Sequence, residues 1–155
     1  MGCPPSFNLG YYYLSGDKPG TPRVEAWDPL FSRYPCPWFY SELYYLSLGK
    51  ETGINGYWAN LRIYRADLKL AVDAETSFSL SYNYLGAIYN TYGGTSIFST
   101  SGKKRGDLIT AQLNHTFSKI VAGYLLVEDF VPGSYYLPQN RDNAMFVRRQ
   151  LEIKI

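Results

Sequence analysis

The stretch ADLKLAVDAETSFSLSYNYLGAI, from Ala66 to Ile88, decides the fold. Ala66, Leu68, Leu70 and Val72 alternate with Asp67, Lys69, Ala71 and Asp73. After Ala74-Glu75-Thr76-Ser77 the alternation resumes. Phe78, Leu80, Tyr82, Tyr84, Gly86 and Ile88 form one face, and Ser79, Ser81 and Asn83 lie on the other. Successive strand side chains point to opposite faces, so a period of two marks a ribbon with one apolar and one polar side. Two such ribbons joined by a short polar segment form a β-hairpin. Just upstream, Leu61 and Ile63 carry the apolar residues on odd positions. That change of phase predicts a β-bulge near Tyr64-Arg65.

The same period extends in both directions. Ile109, Ala111, Leu113 and Phe117 alternate with Thr110, Gln112, Asn114 and Thr116. Ser118-Lys119 reads as a tight turn, and Val121, Gly123, Leu125 and Val127 begin the next strand, which ends at Pro132-Gly133. In the final run, Asn143–Ile155, Met145, Val147, Leu151, Ile153 and Ile155 oppose Phe146, Arg148, Gln150, Glu152 and Lys154. Arg149 breaks the apolar side: either it snorkels, or a bulge at Arg148-Arg149 turns both arginines inward. At the front, Asn8–Ser15 is a Tyr-rich strand, and a short additional strand is expected over Phe39–Leu48. The expected fold is all-β: an antiparallel up-and-down meander of about six main strands in a single domain, 1–155. Residues 1–7 are expected to be irregular, with long loops at about 16–40, 90–106 and 132–142.

Connections of alternating length, with strands long enough to cross a hydrocarbon layer at a tilt, match a transmembrane β-barrel. A soluble up-and-down barrel has the same alternation with its apolar side inward. Alternation does not say which side is wet. Two features favour the membrane: the polar face holds charges of both signs, and Tyr gathers near strand ends. Tyr11–Tyr13, Tyr57, Tyr89, Tyr92, Tyr135 and Tyr136 would form an aromatic girdle.

Composition excludes several classes. Apolar residues make up 46% of the 155, which rules out a disordered chain. A net charge of +2 gives no basis for nucleic-acid binding. Lys103-Lys104-Arg105 sits among Gly and Ser and reads as a solvated loop. Cys3 and Cys36 lack metal-ligand spacing, and whether they pair is open. No apolar run is long enough for a transmembrane helix. MGCPPSFNLG lacks the basic and apolar regions of a signal peptide. Its match to an acylation pattern at Gly2, Cys3 and Ser6 reads as chance. Asn114-His115-Thr116 is a formal glycosylation sequon inside a strand, read as coincidence.

Several stretches together resemble the alginate-export family of bacterial outer-membrane β-barrels. They are Tyr11–Asp17, Val24–Pro35, Trp38 with Ser41–Tyr44, Glu51–Gly53 with Trp58–Leu61, Gly106–Ala111, and Pro132–Tyr136 with Asn140–Asp142. The resemblance covers nearly the whole chain from about Leu9, in the order of that family's C-terminal part. Family members are longer, with a signal peptide and more strands. They end on an aromatic where this chain has Ile155, a change that weakens the signal read by the outer-membrane assembly machinery. The resemblance implies a piece of a larger barrel in the bacterial outer membrane, with its apolar side toward the lipid bilayer. It also implies passive conduction of an anionic polysaccharide such as alginate, or of another small anionic solute.

Candidate lumen residues are Arg62, Arg65, Asp67, Lys69, Asp73, Glu128, Arg148, Glu152 and Lys154. Basic side chains there would attract anions, and the planar fork of Arg grips a carboxylate at two points. The same residues could instead be cross-strand salt bridges that hold register. No enzyme is expected. Glu128 and Asp129 are adjacent and so point to opposite faces. His115 stands on an apolar face with no nucleophile motif nearby. Asn140-Arg141-Asp142 reads as a turn cap, and Gly93-Gly94 as a turn. No cofactor and no metal are expected.

Overall fold

The structure is a computed structural model and describes residues 4–28, 41–44 and 59–154. It is a single antiparallel sheet of six strands in sequence order: β1 (Ser6–Leu14), β2 (Leu61–Ala71), β3 (Thr76–Gly86), β4 (Lys104–Thr116), β5 (Val121–Pro132) and β6 (Ala144–Ile153). Among the described residues β1 and β6 do not pair, so the meander is open. The strands run nine to thirteen residues. The irregular start is shorter than expected, because Ser6 and Phe7 already pair with Lys69 and Leu68. Residues 42–44 form a helical turn rather than part of a strand. The rest of the strand expected at Phe39–Leu48 lies outside the described residues, as do Cys3, Cys36 and Tyr57.

The two short connections close tightly. Thr76 O accepts from the Val72 and Asp73 amides at 2.9 and 3.3 Å, and Val121 O accepts from those of Phe117 and Ser118 at 2.9 and 3.1 Å. Opposite these turns, the segments after β3 and after β5, with residues 41–44, fold back over the sheet.

The expected bulge at Tyr64-Arg65 is absent. β2 pairs in continuous register with β1 and with β3. The change from Leu61 and Ile63 to Arg65, Asp67 and Lys69 therefore happens along one face, with no slip of phase. What changes is the cover: Leu61 and Ile63 are buried, Arg65 is half-buried and Lys69 is exposed. The alternative of a bulge at Arg148-Arg149 fails likewise, since β6 follows β5 residue by residue. A register shift does occur between Leu85 and Gly86, against the start of β4.

Each face can be read from the pairing. On the outer face one continuous row is Phe7, Leu68, Leu80, Ala111, Val127 and Val147, apolar on all six strands. A neighbouring row starts Tyr11, Tyr64, Tyr84 and meets Asp107. Its rings pack at 5.0 Å (Tyr11–Tyr64) and 6.0 Å (Tyr64–Tyr84). Nothing among the described residues covers this face: Leu9 is 75% exposed, Ile153 67% and Leu113 43%.

The inner face has two zones. At the long-connection end, Leu14, Leu61, Ile63, Leu85, Leu108 and Phe130 are buried beneath Tyr44, Phe98, Tyr135 and Tyr136. Each such aliphatic contributes about 1.5–3 kcal/mol on burial. The segments after β3 and after β5 are tied together, with Ser99 N donating to Tyr135 O and Leu137 N to Ile97 O, both at 2.8 Å. They touch at Gly102, where a Cβ would sit 1.7 Å from Ser134 O, so only glycine fits. Tyr135 and Tyr136 therefore belong to this core and not to a girdle. On the outer face the clustered tyrosines are Tyr11, Tyr13, Tyr64, Tyr82 and Tyr84. The other inner zone, toward the short turns, is polar.

Candidate functional site

The polar zone is built by alternation. Once Leu61 and Ile63 face inward, Arg65, Asp67 and Lys69 must follow on the same side. Across the sheet they meet Ser79 and Ser81 on β3, Thr110, Gln112 and Asn114 on β4, Tyr124 on β5, and Arg148, Gln150 and Glu152 on β6. This face carries cations, carboxylates, hydroxyls and amides within one surface.

Local contacts hold these groups in place. Arg65 Nη2 lies 2.7 Å from Asp67 Oδ1, and Arg65 Nη2 also donates to Ser81 Oγ at 3.2 Å. Ser81 donates in turn to Asp67. Gln112 Nε2 donates to Asn114 Oδ1 at 2.7 Å, and Tyr124 donates to Gln150 Oε1 at 2.8 Å. Arg148 pairs with Glu42, reaches Tyr124 Oη at 3.4 Å and lies 5.5 Å from the Phe146 ring centre.

The residues 41–44 close one end of this zone. Glu128 is fully buried and accepts from Ser41 Oγ and from the Leu43 amide, both at 3.1 Å. Its second oxygen has no partner among the described residues. Arg105 is also fully buried, contrary to the solvated loop expected for Lys103-Lys104-Arg105. It donates to Tyr44 Oη at 2.9 Å and Asn60 O at 3.0 Å, and stacks 4.7 Å from the Tyr135 ring centre. Asn60, at φ +53°, accepts through Oδ1 from the Ile88 and Tyr89 amides and so ties the start of β2 to the end of β3.

Of the nine residues singled out from the sequence, Arg65, Asp67, Lys69, Arg148 and Glu152 share this face. Lys154 lies just past the end of β6, on the same alternation and exposed. Glu128 points to the inner face but is sealed beneath Ser41 and Leu43. Arg62 stands on the outer face, against Gly86 and Tyr13, because the bulge that would have turned it inward does not exist. Asp73 belongs to the β2–β3 turn, where its Oδ1 accepts from the Glu75 amide at 2.9 Å. Hydrogen bonds from the Thr76 hydroxyl and the Glu75 amide hold its carboxyl below the usual range.

Sequence reasoning missed Ser41, Glu42 and Tyr44, whose roles depend on contacts more than sixty residues away. It also missed Arg105, although its place ahead of Leu108 allowed it to begin the strand. Asn140 and Arg141 do hold a turn: Asn140 donates to Ser96 O and Arg141 to Tyr136 O, both at 2.9 Å.

The arrangement offers multiple hydrogen bonds and exchangeable ion pairs to a solute, with Arg guanidinium groups already beside carboxylates. Comparison with family models, curated proteins and solved structures gave no match to this chain.

Proposed function

We propose that this sheet is part of an outer-membrane β-barrel. Its polar inner face lines a conduit for an anionic polysaccharide of the alginate type or for another anionic solute. The observation that carries the reading is the polarity of the sheet. Among the described residues the apolar outer side is uncovered on all six strands, while the segments after β3 and β5 fold over the long-connection end of the inner side and leave its polar zone beyond them. A soluble protein rarely leaves so large an apolar surface open. In a bilayer the same surface meets acyl chains, and polar residues face water.

Two further features agree with it. The short turns lie at one end and the long connections at the other, as in bacterial barrels. Among the described residues the outer edges of β1 and β6 have no strand partner, and in lipid each open edge would need further strands, at a cost otherwise of several kcal/mol per unsatisfied group. The solute class rests on the family resemblance and on guanidinium chemistry. Arg65 and Arg148 already hold carboxylates, those of Asp67 and Glu42. A polyuronate carboxylate would take the place of either, so a chain could pass from one arginine to the next by exchange. Lys69 and Lys154 add exposed positive charge to the same side.

The test is extraction followed by conductance. The chain should stay with the membrane after alkaline washing, need detergent to dissolve, and shift on a gel when heated. In planar bilayers under a salt gradient, the assembly it forms should show an anion-selective reversal potential. Arg148→Gln and Lys69→Gln should each move that potential toward cations. A chain that is monodisperse in water without detergent would overturn the reading in favour of a soluble β-barrel that binds a ligand or partner.

A further inference from the structure

The outer face contains a recess. A groove of about 410 Å³ lies over Gly123, walled by Leu113, Phe117, Leu125 and Leu151, with His115 and Arg149 on its border. Its origin is in the pairing. The row across the sheet reads Thr76, His115, Gly123, Leu151, so the β5 position between two bulky residues has no side chain. A Cβ at Gly123 would sit 2.6 Å from Gln150 O and 2.9 Å from a Leu151 methyl. Close approach of β6 thus requires glycine here, and the gap follows.

The outer face also carries Arg62, Asp107 and Asp129 away from this groove, and the charge at the groove's own border is Arg149. Arg149 is exposed, sits opposite Leu125, and has no carboxylate partner among the described residues. Lys104, at the far end of the same face, is neutralised by Asp107 at 2.5 Å. His115 is fixed by Thr76 Oγ1 at 2.9 Å from Nδ1 and by an edge contact with Phe117 at 4.6 Å between ring centres. The single Thr76 hydroxyl proton goes to the Asp73 carboxylate, so His115 Nδ1 donates to Thr76 Oγ1 and the ring forms a fixed edge of the groove.

We infer that this groove is a site for an anionic phospholipid, with an acyl chain over Gly123 and the phosphate held by Arg149. The inference rests on the membrane reading above. A guanidinium on a lipid-facing strand is costly at mid-depth and tolerable near an interface. A phosphate beside it removes that cost by supplying the missing counter-charge. The groove adjoins the β4–β5 turn, one of the two short connections. In a bacterial barrel such turns face the periplasm, where the adjoining leaflet is phospholipid. This location selects a phospholipid over a surface glycolipid.

The experiment places a tryptophan at the rim, Phe117→Trp, with the parent chain's own emission subtracted. The protein is reconstituted in vesicles containing brominated phosphatidylglycerol or brominated phosphatidylcholine at equal fraction. Stronger quenching by the anionic lipid, by about five-fold in apparent affinity, and loss of that preference in Arg149→Gln support the inference. Equal quenching by both lipids overturns it and leaves the membrane reading standing. No quenching by either overturns the membrane reading and this inference with it. Native mass spectrometry of the detergent-extracted protein is a second readout. A retained phospholipid mass that Arg149→Gln removes is the supporting result, and retention of lipopolysaccharide in its place overturns the choice of ligand.

Discussion

Two halves of one face behave differently. Toward the long connections, the inner side of the sheet is a sealed core of Leu61, Ile63, Leu85, Leu108 and Phe130 under four aromatics. Toward the short turns, the same strands present Arg65, Asp67, Lys69, Ser79, Ser81 and Gln112 with no such cover among the described residues. Register is continuous from one half of β2 to the other, so the backbone does not cause the difference. The cause is what lies above. Under the described segments that fold back, the inner face is largely apolar, with Asn83 and Glu128 as buried exceptions; beyond them it is polar. The outer side follows neither rule: among the described residues it is open, and it is mostly apolar, interrupted by Arg62, Asp107, Asp129, His115 and Arg149. This distribution supports the proposed reading, in which the inner side of the sheet meets water.

Arg105 joins the sealed half to the loops, so its loss should have the largest effect. Arg105→Ala would leave the Tyr44 hydroxyl and Asn60 carbonyl without their donor and open a cavity beneath Tyr135. The expected loss is about 4 kcal/mol, read from the urea midpoint of protein refolded into vesicles. Retention of stability within about 1 kcal/mol would mean that the loops do not depend on this anchor.

The comparison between sides is broken most directly by placing the same charge on each. Leu80→Arg puts a cation in the middle of the apolar row, at an expected cost of about 2–4 kcal/mol if lipid lies there. Ser79→Arg puts it one residue away on the polar face, where less than about 1 kcal/mol is expected. Equal effects of the two substitutions in vesicle refolding would remove the distinction between the faces.

Much of this layout can be read in the sequence, because period-two alternation fixes which residues share a side. The hairpin at Ala66–Ile88, the all-β meander and the placement of His115 on the apolar face all follow from it. Cover cannot be read the same way. The change from Ile63 to Arg65 looks like a slip of phase, and only the pairing shows it to be a change of environment on one face. Tyr135 and Tyr136 suit an interface as well as a core, since the ring is apolar and the hydroxyl wet. Arg105 in a run of basic residues looks solvated until Tyr44 and Asn60, distant in sequence, are brought to it. The same holds for Glu42, which finds Arg148 only after the sheet has formed.

A smaller effect would sharpen the account of the polar half. Asp67→Asn weakens the hold on Arg65 and is expected to cost about 1 kcal/mol, since the pair is only partly buried. The same change removes the carboxylate beside that guanidinium on the inner face. In bilayers it should increase anion preference, the opposite of Arg148→Gln. A shift toward cations would mean that Arg65 does not face the conducting path.

The smallest effect concerns the rim of the polar half, at Asp73. The Thr76 hydroxyl and the Glu75 amide favour its ionised form and depress its folded pKa. A group so depressed stabilises the folded turn above the ordinary carboxylate range. That contribution disappears as pH falls through the lower, folded value. Asp73 is fully exposed, so the effect is local and not global. The Glu75 amide, bonded to Asp73 Oδ1 at 2.9 Å, is the reporter. Its hydrogen-exchange protection should be intact at neutral pH and decline in acid relative to amides at the centre of β3. Asp73→Asn should lower protection at neutral pH and remove the acid dependence. If the variant keeps the same dependence, the proton is taken up elsewhere, and the turn is held by the backbone bonds from Val72 and Asp73 to Thr76 alone.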